Sequence, residues 1–368
     1  MSESTFEVPE APSVDLPSLQ PVSAALLEEP AREFILSVIV PARNEEDCIR
    51  ECLASLVAQS ESFFELGHEW EILMVNDAST DRTRAIAEEF AEVTILEAPK
   101  LEKGWTGKPN ACWAGSQAAR GDWLLFTDAD TVHEPGNLRR AIFEAEKAKV
   151  GMLSYSPRQI VSGFWQSALM PLVFSELALA YPPEKVSNPE SRLAAANGQF
   201  LLVSRAAYRA VGGHTAVSDS ILEDLDLAYL AKRRKVGLRF RYAPEAVATR
   251  MYRSFGQMYE GWTKGLAILF NNCLATAAWK LLDLGLLVGL PLLAMAFWHQ
   301  LIPRLGLLLL WVRTLWRFYA RVAKSNFSVL DCTISVFALP LFAFLLWRSW
   351  FHHTVLKRVA WKGREYPA

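Results

Sequence analysis

Two carboxylates stand one residue apart at the end of a short apolar run. Residues 122–130 read DWLLFTDAD, with Trp123 to Phe126 apolar, then Thr127, Asp128 and Asp130. A continuous run of this length has the pattern of a buried parallel strand. In an open α/β sheet, ligands sit just beyond the carboxyl ends of strands. Two acids at that edge repel unless a cation or donor array lies between them, and hard divalent ions take such oxygen ligands. The plain alternative is a solvated turn with a helix cap.

Other polar residues are predicted at the same sheet edge. PARNEE at 41–46 follows one apolar run, Asn76-Asp77 follows a second, and Lys108 follows a Gly-rich loop at 104–107. Carboxylates and a lysine converging there suit a nucleotide diphosphate. An acid accepts from a base N–H, a lysine neutralises phosphate, and an Asp-bound metal bridges the diphosphate. Neither GxxxxGK[ST] nor GxGxxG occurs, which excludes the ATPase and dinucleotide readings.

The elements that must position these groups follow a βαβα rhythm. Strands are expected at 35–40, 70–75, 93–96 and 123–127, with Pro41 ending the first. Asn44 is expected to cap a helix to about Gln59, Ser79 or Thr80 a helix through Phe90, and Pro135 to open another. The fold class is therefore α/β, a doubly wound, mostly parallel Rossmann-like sheet. Residues 1–33 are acidic and Pro-rich and read as a disordered leader without signal-peptide character. The net charge of -2 gives no attraction for nucleic acid, and the basic run 232–235 reads as a solvated helix end. Five cysteines without metal-ligand pairing read as reduced, buried thiols facing the cytosol.

PARNEE at 41–46, NDASTD at 76–81, GWTGKPNA at 104–111, DAD at 128–130 and ED at 223–224 recur in this order in family 2 glycosyltransferases. Over residues 36–264 the chain resembles that family. With its apolar C-terminal region it looks most like the carotenoid-acid and hopanoid-associated subgroup. The resemblance implies an A-type glycosyltransferase fold and a UDP-sugar donor. Pro41, Glu45, Asp77, Lys108 and Asp128 would then border the donor, with Asp77 on the uracil and Lys108 on the diphosphate. Asp130 would hold Mg2+ or Mn2+, and Asp224 would be the base.

Inverting transfer requires a carboxylate that takes the acceptor proton on the face opposite the leaving diphosphate. Ser220 to Glu223 forms a capping-box pattern, which assigns Glu223 to a helix start and leaves Asp224 for that task. The alternative for Asp224 and Asp226 is acid placement at a helix N-terminus. Gln199, in the segment 197–200, is a candidate sugar contact. Many membrane-bound relatives carry a (Q/R)xxRW motif; here residues 257–262 read QMYEGW, one residue too long and lacking the Arg, which argues against processive polymer synthesis. Trp262 is expected either at the acceptor site or facing the membrane.

Residues 281–298 and 329–350 are each long and apolar enough to cross a bilayer. Between them, Arg313, Arg317 and Arg321 recur every four residues, which predicts one basic helix face toward lipid headgroups. Residues 163–181 read either as a core helix or as a membrane-docking helix. The expected organisation is a leader (1–33), a catalytic domain (34–264), transmembrane or interfacial helices (265–351) and a basic cytosolic tail (352–368). Three apolar stretches conflict with a cytosolic domain and a cytosolic tail unless one lies flat, re-enters or hides a fourth crossing. The expected function is a membrane-bound, inverting transfer from a UDP-sugar to a lipid acceptor. Polyprenyl phosphate as acceptor, or a non-catalytic nucleotide-sugar-binding membrane protein, are the alternatives.

Overall fold

The computed structural model describes residues 33–270, 272–361 and 363–367, so the expected leader, apart from Glu33, lies outside the described residues. The apolar runs form strands and the segments between them helices. β1 (Phe34–Ala42), α1 (Ile49–Val57), β2 (Trp70–Asn76), α2 (Thr83–Ala87), β3 (Val93–Glu97), α3 (Gly107–Ala118) and β4 (Gly121–Phe126) follow in order. β5 (Thr131–His133), α4 (Asn137–Ala148), β6 (Met152–Ser156) and β7 (Arg158–Gln159) come next. Then come α5 (Gly163–Ala180), α6 (Pro183–Ser187), β8 (Leu201–Ser204), α7 (Arg205–Val211) and α8 (Glu223–Arg233). β9 (Leu238–Tyr242), β10 (Val247–Thr249) and α9 (Phe255–Leu269) complete this part.

The main sheet has the order β3-β2-β1-β4-β8-β6-β9. β1 pairs in parallel with β2 and β4, and β6 with β9, while β8 runs antiparallel to both neighbours. Alternation along β1 builds both faces. Leu36, Val38 and Val40 pack toward Ile49, Leu53 and Leu56 of α1, whereas Ile39 joins Ala111 and Cys112 of α3. A second small sheet, β5-β10-β7, stands beside the Asp128–Asp130 turn. All five cysteines are free, and four of them are buried.

Three local expectations change. β1 continues through Pro41 to Ala42, paired to β2. Its pairing with β4 stops at Ile39, so the missing Pro41 N–H falls where β4 has already turned away. Asn44 is not a helix cap. Its backbone is left-handed (φ 52°), and α1 starts after Cys48 without a side-chain cap. Ser79 and Thr80 do not cap α2 either, which begins at Thr83.

The apolar C-terminal region folds onto α5 and α9 as one core. α10 (Cys273–Ala296) and α11 (Leu301–Val322) are followed by α12 (Val329–Ile334) and α13 (Leu339–Phe351), and a hairpin of β11 (Arg358–Trp361) and β12 (Arg364–Pro367) ends the described chain. Two helical stretches, Cys273–Ala296 and Val329–Leu356, are long and apolar enough to cross a membrane. α10 and α11 are antiparallel: Trp311 Nε1 donates to Leu287 O (2.9 Å), and Arg317 late in α11 meets Asp283 early in α10 (2.6 Å). α5 is a core helix in its middle, where Ala168 to Val173 are buried, but Phe164 and Trp165 at its start are exposed.

The arginine stripe does not face headgroups as a unit. Arg317 and Arg321 turn to Asp283 and Glu176, and Lys280 also pairs with Glu176 (2.5 Å), while Arg313 is exposed and Arg317 keeps one side in solvent. Lys280 and Asp283 are 3% and 2% exposed, so these charges fasten α10 and α11 to α5 inside the core. Removing one partner of a buried pair leaves the other uncompensated, which costs about 3–5 kcal/mol. Glu176→Ala should therefore destabilise the full chain by roughly that amount, read as a lowered thermal midpoint in detergent; an unchanged midpoint would show the cluster to be solvated.

Candidate active site

The carboxyl ends of β1, β2 and β4 open into a cavity of about 640 Å³. Pro41, Glu45, Asp77, Lys108, Asp128, Asp130, Gln199, Asp224 and Trp262 all line it. Its rim is set by an exchange between two motif loops. Asn44 N–H donates to Ser79 Oγ (3.1 Å) and Thr80 N–H to Asn44 Oδ1 (2.9 Å). Glu46 N–H donates to Asp81 Oδ2, Arg82 N–H to Glu46 Oε2, and Glu45 N–H to Thr83 Oγ1 (2.7 Å). The residues expected to cap their own helices instead satisfy the neighbouring loop. Arg43 Nη1 donates to Asp77 O (2.8 Å) and holds that acid at the rim.

Lys108, at the start of α3, sits between two carboxylates: Asp128 Oδ1 at 2.7 Å and Glu223 Oε1 at 2.8 Å. Burial alone favours the neutral amine, but Asp128, then Glu223 and Asp224, hold Lys108 protonated well above its ordinary range. Glu223 is thus not a capping residue, and the capping-box expectation fails. Ser220 Oγ, which the box assigns to the Glu223 backbone, accepts from Leu222 N–H and donates to Asp226 Oδ2 (2.6 Å). Asp226 remains structural, and Glu223, 5% exposed, joins the site. The α3 start is tied to the same loop by Thr106, whose N–H donates to Ser218 O (2.7 Å) and whose hydroxyl donates to Ser220 O (2.8 Å).

Asp224 accepts from Gly198 N–H through Oδ2 (2.6 Å) and from Leu225 N–H through Oδ1 (2.8 Å). Burial, reinforced by Glu223, lifts its carboxyl to about 6, against the opposing pull of Lys108 and the two N–H donors. Gly198 is required by close approach: a Cβ there would lie 2.6 Å from Lys108 Nζ and 3.3 Å from Asp224 Oδ2. Segment 197–200 therefore does lie beside the expected base, as a turn before β8. Gln199 is 3% exposed, and its amide is engaged by Thr249 Oγ1 (3.1 Å) and Gln159 (3.4 Å).

Beneath the acidic turn lies a buried polar scaffold that sequence reading did not single out. Thr131 Oγ1 donates to Asp128 O (2.7 Å), and Thr127 Oγ1 donates to Gln199 O (2.8 Å). His133 closes the group against both threonines, with Asn137 on its other ring nitrogen. Burial pushes His133 down to about 3, so it serves as a neutral hydrogen-bonding strut.

The opposite wall is apolar. Phe174 and Leu177 of α5, with Tyr181 just after it, face Trp262 and Leu269 of α9 across the cavity. Trp262 does not face a membrane: it is 4% exposed and packs edge-on to Phe174 and Tyr252. Its buried indole N–H has no hydrogen-bond partner among the described residues, and it belongs to the cavity wall. Lys264, also lining the cavity, is drawn below its ordinary value by burial. Since Lys264 lies within α9, the expected domain boundary there falls inside a helix shared by both parts. The hairpin after α13 reaches the rim as well, with Arg364 paired to Asp77 (2.6 Å).

Residues 37–211 match the family model Glycosyl transferase family 2. The chain is 26% identical over 352 residues to 4,4'-diaponeurosporenoate glycosyltransferase of Staphylococcus aureus (strain MRSA252), covering 90% of this chain and 88% of that one. It is 27% identical over 342 residues, with the same coverage, to the protein of that name from Staphylococcus haemolyticus (strain JCSC1435). The fold is similar to the mannosyltransferase PcManGT from Pyrobaculum calidifontis, with a TM-score of 0.50, 19% identity, and 89% and 90% of the two chains covered. The sheet, the strand-end motifs and these relatives together make the protein a glycosyltransferase with an A-type fold, resembling the carotenoid-acid members of family 2.

Proposed function

We propose that this glycosyltransferase moves a sugar, with inversion, from a UDP-sugar to a lipid acceptor that enters from a bilayer. The observation that carries this reading is the two-sided cavity. Acids and Lys108 lie at the sheet edge, opposite an apolar wall whose helices α5 and α9 share one core with α10 and α13. A donor lies along the first side: Pro41 and Glu45 border it, Asp77 accepts from the uracil imide, and Asp128 meets the nucleotide. Lys108 has three N–H donors and spends two on Asp128 and Glu223, which leaves the third for the diphosphate. Gln199 and Trp262 stand where the sugar and acceptor meet.

Asp130 would hold a divalent ion, Mg2+ or Mn2+. The described residues contain no cluster of three metal-ligating side chains, and Lys108 already occupies Asp128. That donor set suits an ion held by one carboxylate and completed by substrate phosphates. When bound, such an ion neutralises the charge that develops on the departing diphosphate. The mannosyltransferase of similar fold holds GDP-mannose and Mn2+.

The chemical step forms one bond from the acceptor oxygen to the anomeric carbon and breaks the bond from that carbon to the diphosphate. Asp224 takes the acceptor hydroxyl proton, and UDP leaves on the opposite face. A base lifted to about 6 is close to neutrality yet mostly ionised there, the compromise that general-base transfer favours.

The membrane reading is a helical hairpin of α10 and α11 that crosses and returns. Trp279 and Trp298 are exposed near its ends, roughly 28 Å apart at 1.5 Å per residue, close to the thickness of a hydrocarbon core. Leu292, Met295, Ile302 and Leu309 are exposed along it. The stretch Val329–Leu356, although long enough to span, is broken by a 3₁₀ turn at Ser335–Ala338 and packs against α5 and α9. In this reading that stretch stays with the catalytic domain and α10–α11 make two crossings, which would leave the domain and the chain after α13 on the same side.

Asp130→Ala should abolish turnover while leaving thermal stability unchanged, and EDTA should do the same to the native protein until Mn2+ is restored. Full activity of the variant in EDTA would remove Asp130 as a metal ligand. Asp224→Asn should cut turnover onto a hydroxyl lipid by about 10²–10⁴-fold with UDP binding retained. Because protonation disables the base, the native rate should fall as pH drops below about 6. Glu223→Gln removes a charge that raises Asp224 and should move that limb to lower pH. A rate that stays flat through pH 6 and survives Asp224→Asn would take the role from Asp224. For topology, single-cysteine variants His299→Cys and Asn326→Cys should react with an impermeant thiol reagent from opposite faces of sealed vesicles; labelling from the same face would exclude a crossing hairpin.

A further inference from the structure

The described chain does not end in a loose tail. After α13 it returns to the catalytic domain as β11 and β12, in register from Arg358↔Pro367 to Trp361↔Arg364. Val359 is buried, and β11 lies against α9. Arg364 then reaches the rim at Asp77, with Nη1 donating to Oδ2 at 2.6 Å and Nη2 to Oδ1 at 3.2 Å. Tyr366, two residues on, lines the same cavity as Asp77. The chain also leaves space for this contact. A Cβ on Gly107 would collide with the Arg364 guanidinium and lie 2.6 Å from Asp77 Oδ2.

We propose that this C-terminal hairpin completes the nucleoside end of the donor site, with Arg364 as the residue that positions Asp77. The inference rests on the donor reading of Asp77 given above. A bidentate guanidinium fixes the plane of a carboxylate, which a single hydrogen bond does not. Each carboxylate oxygen keeps a second lone pair, so the oriented acid still accepts one more N–H from the cavity. A uracil offers its imide N–H at that position. Cytosine, with ribose and diphosphate fixed the same way, offers a ring lone pair and is repelled. Arg364 therefore sharpens the choice of base through Asp77, while Tyr366 closes the wall beside it.

The test is UDP and CDP binding to the full chain in detergent, measured calorimetrically for the native protein and for Arg364→Ala, Arg364→Lys and Asp77→Asn. Arg364→Ala should weaken UDP roughly tenfold or more, the scale of one hydrogen bond to a charged group, and should narrow the UDP-over-CDP ratio by a similar factor. Arg364→Lys, which keeps the charge but not the fork, should recover only part of either effect. Asp77→Asn should weaken UDP as strongly. If Asp77→Asn weakens UDP but Arg364→Ala leaves affinity and ratio unchanged, the positioning role is wrong and the donor reading stands. If Arg364→Ala binds UDP more tightly, the hairpin is a plug and the proposal is overturned. If Asp77→Asn binds UDP normally, the donor reading of Asp77 fails and takes this inference with it.

Discussion

The site depends on one ammonium group. Lys108 Nζ lies within 2.8 Å of both Asp128 and Glu223 and raises the cost of moving either. These residues come from the end of β4 and the starts of α3 and α8, so a single cation ties together the polar ends of three elements that share one apolar core. Without it, Asp128, Glu223 and Asp224 would crowd three like charges into a partly dry space, which no fold tolerates without a cation or protonation. The pair also divides labour between adjacent acids. Glu223 is paired with the ammonium, while Asp224, bonded to backbone N–H groups, has its carboxyl lifted by burial.

A second constraint is the lacing of the loops after β1 and β2. Side chains that normally serve their own helix cross to the neighbouring loop, so the two strand ends move as one rim. This fixes Asp77 relative to Pro41 and Glu45. Beneath the third strand end, the hydroxyls of Thr127 and Thr131 and the neutral ring of His133 do the same for Asp128 and Asp130. The rim is therefore rigid at its polar edge and apolar at the opposite wall, where α5 and α9 connect it to the C-terminal helices.

Much of this was legible in residue order. Buried strands announce themselves as unbroken apolar runs, and β1, β2, β3 and β4 fall where the runs do, with the acids at their ends. What was not legible is partner choice. Asn44, Ser79 and Thr80 carry the chemistry of helix caps, and nothing local says that their partners lie some 35 residues away. Ser220 and Glu223 have the spacing of a capping box, but Lys108 offers Glu223 a full charge, which outweighs a backbone N–H. The Arg317 and Arg321 stripe looked lipid-facing because only one helix was in view; Asp283 and Glu176 on two other helices claimed it. The tail showed basic charge but no periodicity long enough to mark a hairpin.

The contact between Asp77 and Arg364 joins residues 287 apart, with the apolar helices between them. On a ribosome adding about 5–20 residues per second, Asp77 is made on the order of a quarter-minute to a minute before its partner. During that interval the catalytic sheet can assemble, since every strand of it precedes α9, but its rim carries an uncompensated carboxylate. The pair closes only after α10 to α13 have been placed and the chain has come back to the domain it left. This late contact is thus also a record that the apolar helices have docked, so a chain in which any of them is misplaced would carry a folded sheet with an open rim.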